Sequence, residues 1–107
     1  MNEWTHKEWL KAKNTQQVTA YYLFAPMCGT CQVASKMLDV VTELLPDLPI
    51  GKANLNYVQE VAELYQVESV PCLLISQGGK VTDKIYAFHS VPYLYGKLKT
   101  VDEYSRP

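Results

Sequence analysis

Cys28-Gly29-Thr30-Cys31 is the segment of this chain best equipped for chemistry. Residues three apart at the start of a helix share one face, with Cβ atoms roughly 5–6 Å apart. Their Cα separation falls within the ~4.4–6.8 Å that a disulfide tolerates, so the pair can open and close with little backbone motion. The unpaired N–H groups and the macrodipole at a helix start favour an anion. Cys28, at that end, is therefore expected to be the readier thiolate, and the thiolate is the nucleophile. Cys31, one turn inside, is expected to be less exposed. This asymmetry predicts that Cys28 attacks a target disulfide and Cys31 resolves the mixed disulfide. Gly29 leaves room for a partner's backbone to approach. Two other readings of the pair stand beside this one. As small buried hydrophobes the cysteines would do no chemistry. As metal or iron–sulfur ligands they would need about four donors in all. Only Cys72, His6 and His89 remain, and nothing in the sequence places the histidines nearby. Neither a metal nor a cofactor is expected.

The pair must be held between a strand and a long helix. Val18 to Phe24 is rich in β-branched and aromatic residues and reads as a strand. From Gly29 to Leu45, apolar residues at Val33, Ala34, Met37, Leu38, Val41, Leu44 and Leu45 mark one helical face. Pro46 ends that helix, because the residue before a proline avoids the helical region. Upstream, Thr5 and Glu8 fit a capping box for a helix through about Lys13, anchored by Trp9 and Leu10. Downstream, Ile50 to Leu55 reads as a short strand and Asn56 as the cap of a helix through Tyr65. Val70 to Ile75 opens a continuous apolar strand, buried on both faces. Gly78-Gly79 is a two-residue hairpin signal, so Val81 to Ala87 pairs back antiparallel. Ser90 caps a last helix to about Val101. A strand–helix–strand start makes two parallel strands. The expected fold is α/β: a mixed sheet of about four strands with helices on both faces, in one domain over residues 1–107.

Composition narrows the function classes. The 107 residues carry a net charge of −1, which argues against a nucleic-acid face built from clustered Lys and Arg. No apolar run approaches the ~18 residues of a membrane span, and the first residues have no signal-peptide pattern. The expected location is the cytoplasm, with no membrane partner. The cysteine count is odd at three; in a reducing compartment a structural disulfide is disfavoured. Cys72 reads as a small core residue, with a third redox or ligand thiol as the alternative, and His6 and His89 read as solvated. Tyr57, Tyr65, Tyr93, Tyr95 and Tyr104 flank helical faces and are expected to be half-buried. Met27, beside Cys28, is expected to be exposed and to touch partners.

Phe24-Ala25-Pro26-Met27-Cys28-Gly29-Thr30-Cys31, with Val70-Pro71 about forty residues later, resembles the thioredoxin family. So do Gly78-Gly79-Lys80 and the terminal amphipathic helix. The resemblance spans nearly the whole chain and is weakest before Val18. It implies a three-layer α/β/α sandwich. It also implies a cis proline facing the cysteines, here Pro71, preceded by a residue, Val70, whose backbone bonds a bound polypeptide. Met27, Gly29, Thr30, Val70 and Pro71 would then shape the substrate groove. Several positions depart from the family pattern. Met27 stands where Trp is usual, and Gly29-Thr30 where Gly-Pro is common. Tyr22 replaces a buried Asp that helps move the proton of the resolving thiol, while Lys52 corresponds to the buried Lys that often accompanies it. A phenol with an ordinary pKa of ~10 is a poor acceptor near neutral pH. Deprotonation of Cys31 is therefore expected to lean on water, positioned by Tyr22 or steered by Lys52.

The resulting expectation is a monomeric thiol–disulfide oxidoreductase that reduces protein disulfides in the cytoplasm. The resemblance adds disulfide-containing protein substrates and a partner thiol reductase that restores the dithiol. The competing class is an adaptor of the same fold whose redox pair is secondary; the missing Asp and Trp point that way.

Overall fold

Thr5 starts the first helix in the way its sequence predicts. Its Oγ1 accepts from the Glu8 N–H at 3.1 Å, and its own N–H donates to Glu8 Oε1 at 3.0 Å. This helix, α1, covers His6–Thr15 and follows a two-residue strand, β1, at Asn2–Glu3. Next come β2 (Val18–Phe24), α2 (Gly29–Leu44), β3 (Ile50–Asn54), α3 (Gln59–Leu64), β4 (Cys72–Gln77), β5 (Lys80–Ile85) and α4 (Val91–Ser105). The computed structural model describes residues 1–105.

The sheet order is β1-β3-β2-β4-β5, with β1, β3 and β2 parallel and β4 and β5 antiparallel to their neighbours. β2 lies at the centre, and its residues from Val18 to Leu23 are all buried, as a strand covered on both faces requires. Alternate residues of β2 and β4 serve opposite layers. Ala20, Tyr22, Leu73 and Ile75 meet Ala34, Leu38 and Val41 of α2 and Leu94 and Leu98 of α4. Tyr21, Leu23, Cys72 and Leu74 meet Trp9 of α1 and Val61 of α3. The result is the helix–sheet–helix sandwich expected. Gly78 and Gly79 both have positive φ, 59° and 84°, which gives the hairpin between β4 and β5 a twist that suits the strands.

The sheet has five strands where about four were expected. The extra strand, β1, pairs Asn2 and Glu3 with Gly51 and Lys52. The Trp4 ring that follows lies against Gly51, where any side chain would collide with it. Smaller shifts occur elsewhere. Asn54, rather than Asn56, is the capping residue: its Oδ1 accepts from Asn56 N–H at 3.0 Å and opens a single 3-10 turn before α3. β4 begins at Cys72, two residues after the expected start, because Val70–Pro71 forms a cis peptide outside the strand. Tyr57 and Tyr104 are 83% and 85% exposed, not half-buried.

Candidate active site

β2 delivers the chain to Ala25, a short turn follows, and Cys28 becomes the N-cap of α2. Its Sγ accepts the Cys31 N–H at 3.2 Å, as a serine or aspartate oxygen does at other helix starts. Thr30 Oγ1 lies 3.3 Å from the same sulfur, and the Val70 carbonyl 4.0 Å. The Val70 carbonyl accepts from the Cys28 thiol, whereas donors from Cys31 and Thr30 lower the Cys28 pKa; the Cys31 side chain has the largest effect, followed by Thr30, and partial desolvation opposes them. Cys31 is 2% exposed. Burial raises its pKa most, and the bond it gives to Cys28 raises it further; the Ala25 backbone and the Tyr22 hydroxyl act the other way. The asymmetry expected from the sequence is thus present: an accessible thiol inclined to ionise beside a buried one that resists ionisation.

Tyr22 sits beneath the pair. Its hydroxyl donates to the Cys31 carbonyl at 2.8 Å and accepts from Ser35 Oγ at 3.1 Å. Burial, the largest cause, pushes its pKa up to about 12. Lys52, adjacent to Tyr22 in the sheet register, holds its ammonium 5.9 Å from the centre of the Phe24 ring. Phe24 in turn stacks on Tyr22 at 5.8 Å. The structure therefore brings Tyr22 to the pair and connects Lys52 to it only through two rings.

Around the cysteines the surface is apolar and open. Met27 is 98% exposed, and Gly29 has no atom near the place a side chain would take. Pro71, Thr30, Val33, Met37, Tyr86 and Phe88 line a groove of about 380 Å³ beside the pair. A second cavity, about 400 Å³, reaches Cys31 from the opposite side, between Phe24, Pro26, Gln32, Ser35 and Lys36. A larger hollow of about 680 Å³, near Trp4, Lys52 and Tyr57, lies away from both thiols.

The remaining candidates are dispersed. Cys72 is buried in the opposite layer. His6 pairs with Glu60 at 3.2 Å, and His89 packs edge-on against Tyr93. Among the described residues, no three His, Cys, Asp or Glu side chains cluster to hold a metal ion. Ser35 was not singled out from sequence. Ser35 stands four residues after Cys31, which puts it on the same helix face; a hydroxyl in that position was the available signal. Among the described residues, no helix is long and apolar enough to cross a membrane.

Known proteins resemble this chain in sequence and in fold. The family model described as Thioredoxin matches residues 1–97. The thioredoxin-like protein YusE of Bacillus subtilis is 56% identical over 78 residues, covering 73% of this chain and 74% of that protein. A thioredoxin of Chlamydia pneumoniae is 30% identical over 71 residues, covering 66% of this chain and 70% of its own length. The crystal structure of chloroplastic thioredoxin z superposes with a TM-score of 0.85 over 96% of this chain and 95% of its own, at 14% identity. A mutant thioredoxin from Halobacterium salinarum gives 0.83 over 94% and 88%, at 19% identity. Structures this distant in sequence speak for the fold, whereas the family match speaks for the lineage. With two cysteines at the start of α2 and a cis proline facing them, the chain belongs to the thioredoxin family.

Proposed function

We propose that this chain is a thiol–disulfide oxidoreductase that reduces disulfides of protein substrates in the cytoplasm, working as a monomeric single domain. One observation carries the reading: Cys28 Sγ caps α2 and accepts the Cys31 N–H at 3.2 Å, which makes one thiol of the pair the readier nucleophile. The Cys28 thiolate attacks one sulfur of a substrate disulfide. That bond breaks, the first substrate thiolate leaves and takes a proton from solvent, and a mixed disulfide forms. Cys31 then loses its proton and attacks Cys28 Sγ. The second substrate thiolate leaves, and the protein carries the Cys28–Cys31 disulfide. Two electrons have passed to the substrate, and a partner thiol reductase returns them. Met27, Gly29, Thr30, Val70 and Pro71 border the place where the substrate backbone docks.

The test is trapping. Cys31→Ser is expected to accumulate a stable mixed disulfide on Cys28 when mixed with an oxidised peptide. Cys28→Ser is expected to form none. With dithiothreitol supplied, the wild-type protein is expected to reduce a disulfide-bonded protein over many turnovers. A single round of oxidation without turnover would replace the enzyme by the adaptor reading.

A further inference from the structure

Resolution, on the reading above, requires a buried thiol to lose a proton, and the residue beneath it is unsuited to take one. The Tyr22 hydroxyl hydrogen is committed to the Cys31 carbonyl at 2.8 Å. With its pKa pushed up to about 12, Tyr22 is a neutral phenol near neutral pH, and a neutral phenol does not accept a thiol proton.

Ser35 changes the picture. It stands one helical turn beyond Cys31 and donates its hydroxyl hydrogen to Tyr22 Oη at 3.1 Å. Its donor spent, the hydroxyl keeps two acceptor lone pairs. Ser35 and Cys31 line the same cavity of about 400 Å³, with Lys36 also on its wall. The space is walled largely by apolar groups but is open to solvent, so a water entering it finds its polar partners at Gln32, Ser35 and Lys36. A water that donates to Ser35 becomes a better acceptor through its own oxygen, because linked hydrogen bonds polarise one another.

We infer that Ser35 is a positioning residue for resolution, its hydroxyl aimed by Tyr22 so that a cavity water beside Cys31 receives the thiol proton. The inference rests on the exchange mechanism proposed above. The Cys31 S–H bond breaks as its sulfur bonds to Cys28 Sγ. The bond from Cys28 to the substrate sulfur breaks, and the substrate departs as a thiolate that solvent protonates. The proton on the water passes to bulk solvent through the cavity mouth. The ionisable groups facing Cys31 are Cys28 at the helix start, Tyr22 from β2 and Lys36 on the cavity wall. The Val70–Pro71 segment faces Cys28 with a carbonyl, and α4 meets this core through Leu94 and Leu98.

The experiment is stopped-flow reaction of the reduced protein with an aromatic disulfide whose released thiolate is coloured. The first release of colour reports attack by Cys28, and the second reports resolution by Cys31. Ser35→Ala is expected to leave the first phase unchanged and to slow the second roughly five- to tenfold near neutral pH, the scale of one lost hydrogen bond. The deficit is expected to shrink as pH rises, because hydroxide then substitutes for the placed water. Ser35→Thr, which keeps the hydroxyl, is expected to restore most of the rate. A second phase equal to wild type in Ser35→Ala overturns the inference. So does a deficit independent of pH that threonine does not rescue, since that marks a purely structural role. Failure of the first phase in the wild-type protein overturns the proposed function itself, and this inference with it.

Discussion

Cys31 and Cys72 are equally buried, 2% and 0% exposed, on opposite layers of one sheet, yet their surroundings differ in kind. Cys31 touches a second thiol and lines a cavity. Cys72 is enclosed by Trp9, Tyr21, Leu23 and Val61, and burial, its dominant influence, pushes its pKa up to about 11. Lys84 and Tyr86 draw it back only in part. Burial thus holds the Cys72 thiol in its protonated form. Cys31 differs in what interrupts its burial: a partner thiol beside it and a cavity that it lines.

The sharpest way to break this contrast is to delete each thiol in turn. Cys31→Ala is expected to abolish turnover of a disulfide substrate. Cys72→Ala is expected to leave both exchange phases within twofold of wild type while lowering stability by about 1–2 kcal/mol, the effect of a small cavity in a packed layer. Turnover assays and denaturant melts under reducing conditions measure the two effects. A Cys72 variant that loses turnover would mean the two layers are not chemically separate.

The adjacent tyrosines of β2 refine the same comparison. Tyr21 Oη donates to the Trp4 carbonyl at 2.7 Å and ties down the N-terminal segment, its ring stacked on Trp9 at 4.9 Å. Tyr22 Oη donates to the Cys31 carbonyl at 2.8 Å. Replacing either by Phe leaves a carbonyl short of a partner, at a cost of about 1–2 kcal/mol. Only Tyr22→Phe is expected to slow resolution, by roughly threefold, since it releases Ser35 without removing it. Tyr21→Phe is expected to lower the melting temperature and leave both exchange phases unchanged. Equal slowing by the two variants would show that the effect is general loosening of β2.

Which parts of this contrast could be read from the chain follows from how local their causes are. The capping box at Thr5, the apolar face of α2 and the Gly78-Gly79 turn are short-range patterns, and each produces the element expected. The cysteine pair is legible for the same reason, because one helix start fixes both sulfurs. β1 is not legible. Asn2 and Glu3 are exposed and polar, and the strand exists through backbone pairing to β3 and the fit of Trp4 against Gly51. Lys52 was placed by family correspondence, but a lysine stem beside Phe24 settles over the ring rather than at the thiols. Ser35 reads as one more polar residue on a helix until the sheet brings Tyr22 beneath it.

The smallest effect expected is also the one that isolates burial from chemistry. In the unfolded chain the Cys72 thiol ionises near its ordinary 9.0, whereas in the folded protein it keeps its proton until about 11. Between those values the unfolded state has released a proton that the folded state retains, so stability is full below about pH 9 and declines toward pH 11. Cys28 works in the opposite sense. Its folded pKa is lowered, so its contribution is present above the ordinary thiol value and fades as pH falls through the folded one. Tyr22, held up at about 12, adds to alkaline loss only above its ordinary 10.0. The window from pH 9 to 10 therefore lies below the range where Tyr22 contributes. There the wild-type protein is expected to lose about 1 kcal/mol more than Cys72→Ala, somewhat under the limit of about 1.4 kcal/mol per pH unit for one proton, because the unfolded thiol is only half ionised at pH 9. Urea melts at the two pH values, with reductant present in both, measure the difference. Parallel losses in the two proteins would mean that Cys72 exchanges protons with solvent in the folded state, and the sealed layer would then be sealed in name only.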